Sequence, residues 1–175
     1  MENNLKFKSL VHYVCDKCND NDSLGAIKLN KILWLSDVLT YINEGQPITS
    51  ERYVKRQFGP VPAHILKALD ELQSEGVLQV NKTNFHGWPK TKYTSLKHPS
   101  IEGFTPDQIA LVDDMINIVC NDHTAMSISN LSHTDIWEVA EIGEDLPHYT
   151  MFMCESGEID EADIEWAKNI ELVAA

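Results

Sequence analysis

Long apolar runs are missing from this chain of 175 residues. No stretch approaches the roughly 20 consecutive apolar residues that a membrane-spanning helix needs, which argues against a membrane role. Cysteine is scarce: the four present, Cys15, Cys18, Cys120 and Cys154, are too scattered for a disulfide framework and are expected to be core thiols. At this length a core buries about 70% of the unfolded surface, so neither disulfides nor metal are needed for stability. Glycine forms no P-loop or dinucleotide-binding pattern, and there is no metalloprotease His pair, repeat or low-complexity tract; nothing asks for a cofactor. Met1 to Lys6 lack both a basic cluster ahead of an apolar run and a small-residue cleavage site, so the expected location is the cytoplasm. Basic side chains all but vanish in the second part. Residues 1–100 carry 13 basic and 10 acidic side chains, whereas residues 101–175 carry Lys168 alone against 17 acidic ones, within a net charge of −13. That balance disfavours broad non-specific nucleic-acid binding; an acidic C-terminal surface suits a basic partner, or simply keeps the protein in solution.

What is present, 43% hydrophobic and 23% charged residues, is ordinary for one globular domain over residues 1–175. Its densest apolar stretch, Ile27 to Ile42, is hydrophobic on nearly every face from Ile32 to Leu35, the pattern of a helix buried on most sides. We expect a central core helix over 28–43, capped at its start by Asp22 or Ser23 and ended by Gly45. Gly59-Pro60-Val61-Pro62 should break the chain there. A second helix is expected to begin at Pro62 and to bury a stripe of Ile65, Leu66, Leu69 and Leu72 up to Gly76. Between the two helices, Thr49-Ser50-Glu51 reads as the start of a short helix, or Arg52 to Phe58 as an extended segment. Arg52, Lys55 and Arg56 beside Tyr53 and Phe58 form the strongest basic-aromatic cluster of the chain; it can receive phosphate or carboxylate partners, or lie as a solvated face over its aromatics.

Leu5 to Cys18 predicts a docking helix with Phe7, Leu10, Val11, Val14 and Cys18 buried. His12, Cys15 and Cys18 rotate around that helix, so buried thiols with a surface histidine are expected there and a metal site is not. Residues 77–96 predict one antiparallel β-hairpin. Thr105, Pro106 and Gln108 form a helix-start signal with Phe104 and Ile109 as a staple, followed by a stripe of Ile109, Val112, Ile116 and Val119. Thr124 or Ser127 starts a short helix. Ser132, His133 and Asp135 are too close in sequence to converge as a triad, so no catalytic residue is assigned; His133 is expected to bond to carbonyls at the helix end while Trp137 buries its rings. Residues 149–154 read as an extended apolar run, and an acidic amphipathic helix is expected over 158–173.

The motifs Lys28-Leu29-Asn30-Lys31-Ile32-Leu33-Trp34, Gly45-Gln46-Pro47-Ile48, Phe58-Gly59-Pro60-Val61-Pro62 and Leu131-Ser132-His133 with Trp137 occur in that order. In order and spacing, over roughly residues 5–150, the chain resembles the Panacea-domain, or SocA-like, antitoxins of bacterial and phage toxin–antitoxin systems. The resemblance implies that Lys28, Leu29, Lys31, Gly59, Pro60, His133 and Trp137 are structural motif residues. It also implies that the protein is a binder, not an enzyme, which neutralises a cognate toxin protein by direct contact. Candidate contact residues are Arg52, Tyr53, Arg56 and Trp88, with no cofactor, metal or small-molecule substrate. The fold expected is mainly α with some β: one domain of five to seven helices and one small hairpin. A winged-helix reading, with residues 62–75 as recognition helix and Lys82, Lys90 and Lys92 on the wing, is the alternative. It is weakened by Asp70, Glu71 and Glu75, which would repel phosphates.

Overall fold

The computed structural model describes residues 2–85 and 87–153; the expected acidic helix over 158–173 lies outside them. Six α-helices and two antiparallel hairpins are described: α1 (Glu2–Lys17), α2 (Ala26–Glu44), β1 (Tyr53–Arg56), β2 (Gly59–Pro62), α3 (Ile65–Ser74), β3 (Leu78–Phe85), β4 (Trp88–Ser95), α4 (Pro106–Asn117), α5 (Ala125–Leu131) and α6 (Asp135–Val139). A π-helical turn, Ile118–Asp122, follows α4, and a 3-10 helix spans His148–Met153. The protein is mainly α with α+β character, as expected, with a second hairpin that was not.

α2 is the hub. It packs against α1, α4, α5, β2 and both irregular helices, and it buries Leu29, Ile32, Leu33, Trp34 and Val38. The main core joins Leu29, Ile32 and Leu33 to Phe7, Leu10, Val11 and Val14 of α1, to Ile65, Leu69 and Leu72 of α3, and to Val112 and Val119. A smaller cluster of Trp34, Val38, Tyr53 and Leu146 sits on another side, with Ile136 and Trp137 packed on it. α2 ends at Gly45 (φ +74), as its sequence requires. At its start Gly25 is the N-cap with no side-chain hydrogen bond, so neither Asp22 nor Ser23 caps it.

The Gly-Pro segment is a strand, not a corner between helices. β2 pairs with β1 in the register Tyr53↔Pro62, Val54↔Val61, Lys55↔Pro60, Arg56↔Gly59. The Ala63 amide donates to Arg52 O (2.8 Å), so hydrogen-bonded pairs alternate from there and both prolines fall opposite residues that need no donor from β2. Tyr53 and Lys55 instead bond outward to residues 143–146, through Leu146 N to Tyr53 O (2.8 Å) and Lys55 N to Glu144 O (2.8 Å). Since Pro62 belongs to this ladder, α3 starts at Ile65, and Leu66, expected in the stripe, is 74% exposed while Ala68 takes the inner place.

Elsewhere Thr105 and Gln108 form the expected capping box, and Thr124 with Ser127 forms another. His12 is buried and lies 3.1 Å from Ser95 Oγ, so the surface position expected for it is wrong: β4 covers that face of α1. Of the run 149–154 expected to be extended, the described residues 149–153 coil with His148 into the 3-10 helix, His148 lying against Trp34 and Tyr53.

Candidate functional site

The β1–β2 turn rests on one buried amine. Lys31 of α2 is 1% exposed, and its Nζ has no hydrogen-bond partner among the described residues. It lies directly beneath Gly59, where a Cβ would stand 2.0 Å from Nζ and 2.6 Å from Ser132 Oγ. Gly59 also holds φ +100, a region closed to most side chains, so glycine is required there twice over, by its backbone and by the amine beneath it. Burial pushes the Lys31 amine down to about 7.

α5 clamps the same turn. Ser129 Oγ donates to Phe58 O (3.0 Å) and sits 3.4 Å from His133 Nε2, and Ser132 Oγ donates to Ser129 O (2.7 Å). Among the described residues His133 makes no bond to the helix-end carbonyls expected for it. Its ring stacks on Trp137 instead, centroids 3.5 Å apart and nearly parallel, and burial, then the Lys31 charge, lowers its pKa. Lys55 Nζ stands 4.2 Å over the Trp137 ring and donates to the carbonyls of Glu138 (3.2 Å) and Ala140 (2.9 Å). Those bonds hold the ammonium against the ring, a cation–π geometry. Beside this stack opens a groove of about 790 Å³ lined by Lys55, Arg56, Gln57, Phe58, Trp137, Ala140 and Ile142. Phe58, Ile142 and nearby Val139 are exposed apolar side chains. Both hydroxyls of the Ser129–Ser132 pair are spent on backbone carbonyls, so the arrangement grips a turn and presents a surface.

Matching this geometry, the family model for the antitoxin SocA-like, Panacea domain covers residues 29–138. The chain belongs to that family. No curated protein and no solved structure is significantly similar to it. The matched Panacea stretch runs from α2 into α6 and thus contains every element of the clamp; it is shorter at both ends than the 5–150 read from the motifs.

Within the Panacea domain the motif residues take distinct places. Lys31, Gly59, His133 and Trp137 converge, with Pro60 next to Gly59 in β2; Leu29 is plain core; Lys28, one residue before the matched stretch, donates to Cys120 O (3.1 Å) away from the groove. Of the candidate contact residues, Arg56 lines the groove. Arg52 is exposed and paired with Asp145 (2.8 Å). Tyr53 is 1% exposed and its hydroxyl donates to Asp37 Oδ2 (2.8 Å), so it supports the surface from below and offers none of its own. Trp88 is 77% exposed and lines a different cavity. Sequence reasoning passed over Asp37, which accepts from Thr49 N (2.7 Å), Thr49 Oγ1 (2.6 Å) and Tyr53. A carboxylate in the middle of the most apolar helix was the signal for it.

Proposed function

We propose that this protein is an antitoxin that neutralises a cognate toxin by direct protein–protein binding in the cytoplasm, without catalysis, and that the groove beside the His133–Trp137 stack is where the toxin docks. Family membership carries the antitoxin reading. The groove is favoured because an apolar rim with one arginine, on a rigid clamp, is the composition of interface hot spots, and a stable complex needs roughly 1,600 Å² around such a centre. Arg52 and Arg56 then flank the contact.

Co-expression with the product of the neighbouring gene tests this. The expected result is rescue from toxicity and co-purification, with both abolished by the double substitution Arg56→Glu, Ile142→Glu in a protein that still melts cooperatively. A harmless neighbour that fails to co-purify would remove the antitoxin reading; rescue that survives the double substitution would remove only the groove. The winged-helix alternative has less support, since Lys92 is ion-paired with Asp22 (3.1 Å), Lys82 is bonded to Thr91 Oγ1 (2.9 Å) and Lys67 lies 3.9 Å from Glu71. A salt-dependent gel shift by the purified protein would restore it.

A further inference from the structure

The groove beside the His133–Trp137 stack is unfinished in its charge and in its apolar rim. Lys55 gives its ammonium to the carbonyls of Glu138 and Ala140 and to the Trp137 ring, so its charge is answered from within the protein. Arg56 is not answered. It is exposed and lines the same groove, yet among the described residues its guanidinium has no hydrogen bond or ion pair. Of the acidic side chains nearby, Asp145 is paired with Arg52 (2.8 Å) and Glu144 accepts from the Glu141 amide (2.7 Å). Elsewhere Lys8, Lys17 and Lys92 hold acidic partners of their own. The rim keeps Phe58 at 42%, Ile142 at 64% and nearby Val139 at 78% exposure, and apolar side chains gathered in one place mark a surface that something covers.

The described residues end beside this groove. The 3-10 helix His148–Met153 packs against α6 as well as α2, and α6 carries Trp137 of the groove wall. The 22 residues that follow Met153 hold seven carboxylates against Lys168 alone, with Ile159, Ile164, Trp166 and Ile170 interspersed. A segment both acidic and apolar is what a free arginine inside an apolar rim complements. Distance is no obstacle, because an extended chain covers about 3.3 Å per residue and a tethered segment acts at an effective concentration of about millimolar. Even a modest contact is then mostly formed.

We propose that residues 155–171 of this same chain occupy the groove when no partner is bound, with a carboxylate of the segment on Arg56 and its apolar side chains over Phe58 and Ile142. The contact is autoinhibitory: whatever docks in the groove has to displace the segment first, and a partner that offers a stronger acidic and apolar match does so. That consequence rests on the groove reading given above, whereas the contact within the chain does not.

Photo-cross-linking of the full chain, with no partner protein present, decides it. With p-benzoylphenylalanine placed at position 142, irradiation and peptide mass spectrometry should find the label joined to a peptide from residues 154–175 of the same chain, in a yield that does not change on dilution. Arg56→Glu, or raising the salt to about 0.5 M, should lower that yield by about threefold or more, since the pair is exposed and screened. The label at position 58 repeats the test in case position 142 does not tolerate it, and a thermal melt of each variant confirms folding. Cross-links confined to residues 2–153, or a tail cross-link indifferent to Arg56→Glu, would overturn the proposal. So would cross-links found only between isotope-labelled and unlabelled copies, which would make a second copy the occupant. Because the experiment contains no toxin, its failure leaves the antitoxin reading standing, and a harmless neighbouring gene product leaves the cross-link standing.

Discussion

Lys31 and Asp37 are both buried charged residues of α2, and their surroundings could hardly differ more. Asp37 is fully buried and accepts three hydrogen bonds, from the Thr49 amide, the Thr49 hydroxyl and the Tyr53 hydroxyl. These tie α2 to the loop before β1 and to β1 itself. Burial still raises its pKa to about 6, against the lowering effect of those bonds. Lys31 is buried as deeply, accepts nothing, and finds no acceptor among the described residues. One site is a completed polar lock. The other is a cation kept in a dry place by shape alone, with a glycine as its ceiling. Hydrogen bonds reduce the cost of a buried charge, though the raised pKa of Asp37 shows that burial still outweighs them; a buried charge without them is a standing cost, retained where something other than stability is served.

The sharpest break of this contrast is at Gly59. Gly59→Ala forces a Cβ onto Lys31 Nζ at 2.0 Å in a backbone with φ +100, so we expect a loss of about 3 kcal/mol or more in urea denaturation. Combining it with Lys31→Ala should restore part of that loss if the clash dominates, and none of it if the backbone conformation does. Next in size is Asp37→Ala, which leaves the Thr49 and Tyr53 donors buried without an acceptor and should cost about 2–3 kcal/mol. A melting temperature unchanged by Asp37→Ala would show that the lock is not one.

The smallest effect is the one that separates the two signs. With its folded pKa lowered from 10.5 to about 7, Lys31 binds fewer protons in the folded than in the unfolded state between those values. Its contribution to stability therefore rises as pH climbs through that window, and the full penalty applies below it. Asp37 is opposite: its folded pKa is raised from 3.8 to about 6, so the folded state binds more protons there and its contribution falls as pH rises from 3.8 to about 6. Replacing Lys31 by Met should stabilise the protein by about 1–2 kcal/mol at pH 6, with the gain shrinking towards pH 10. Denaturation curves of Lys31→Met that track the parent at both pH values would mean that the amine is solvated after all.

Much of the frame was legible in advance because its signals are local. The all-round apolarity of α2, the Gly45 stop, the Thr105–Gln108 capping box and the 78–95 hairpin depend on periodicity and capping within a few residues, which neighbours in space did not override. The β1–β2 hairpin was misread for the reverse reason. Pro60 and Pro62 look like breakers until residues 143–146 are known to satisfy the other edge of β1 and the register is known to spare the prolines. Leu66 and Pro62 were misplaced as a consequence of that one error.

Of the candidate site, the sequence alone settled which residue types were unusual: a lysine-rich motif in an oily helix, a Gly-Pro pair, a histidine four residues before a tryptophan. His133 lies in the turn between α5 and α6, so its stack on Trp137 follows from that turn and not from helical spacing. Only the tertiary structure decided that Lys31 lies under Gly59, that Tyr53 faces Asp37 and not a partner, and that Arg56 and Trp88 open onto separate cavities. Those relations join residues 16 to 86 positions apart, and no local rule of backbone or periodicity carries information over that distance; the packing of α2 against everything else does.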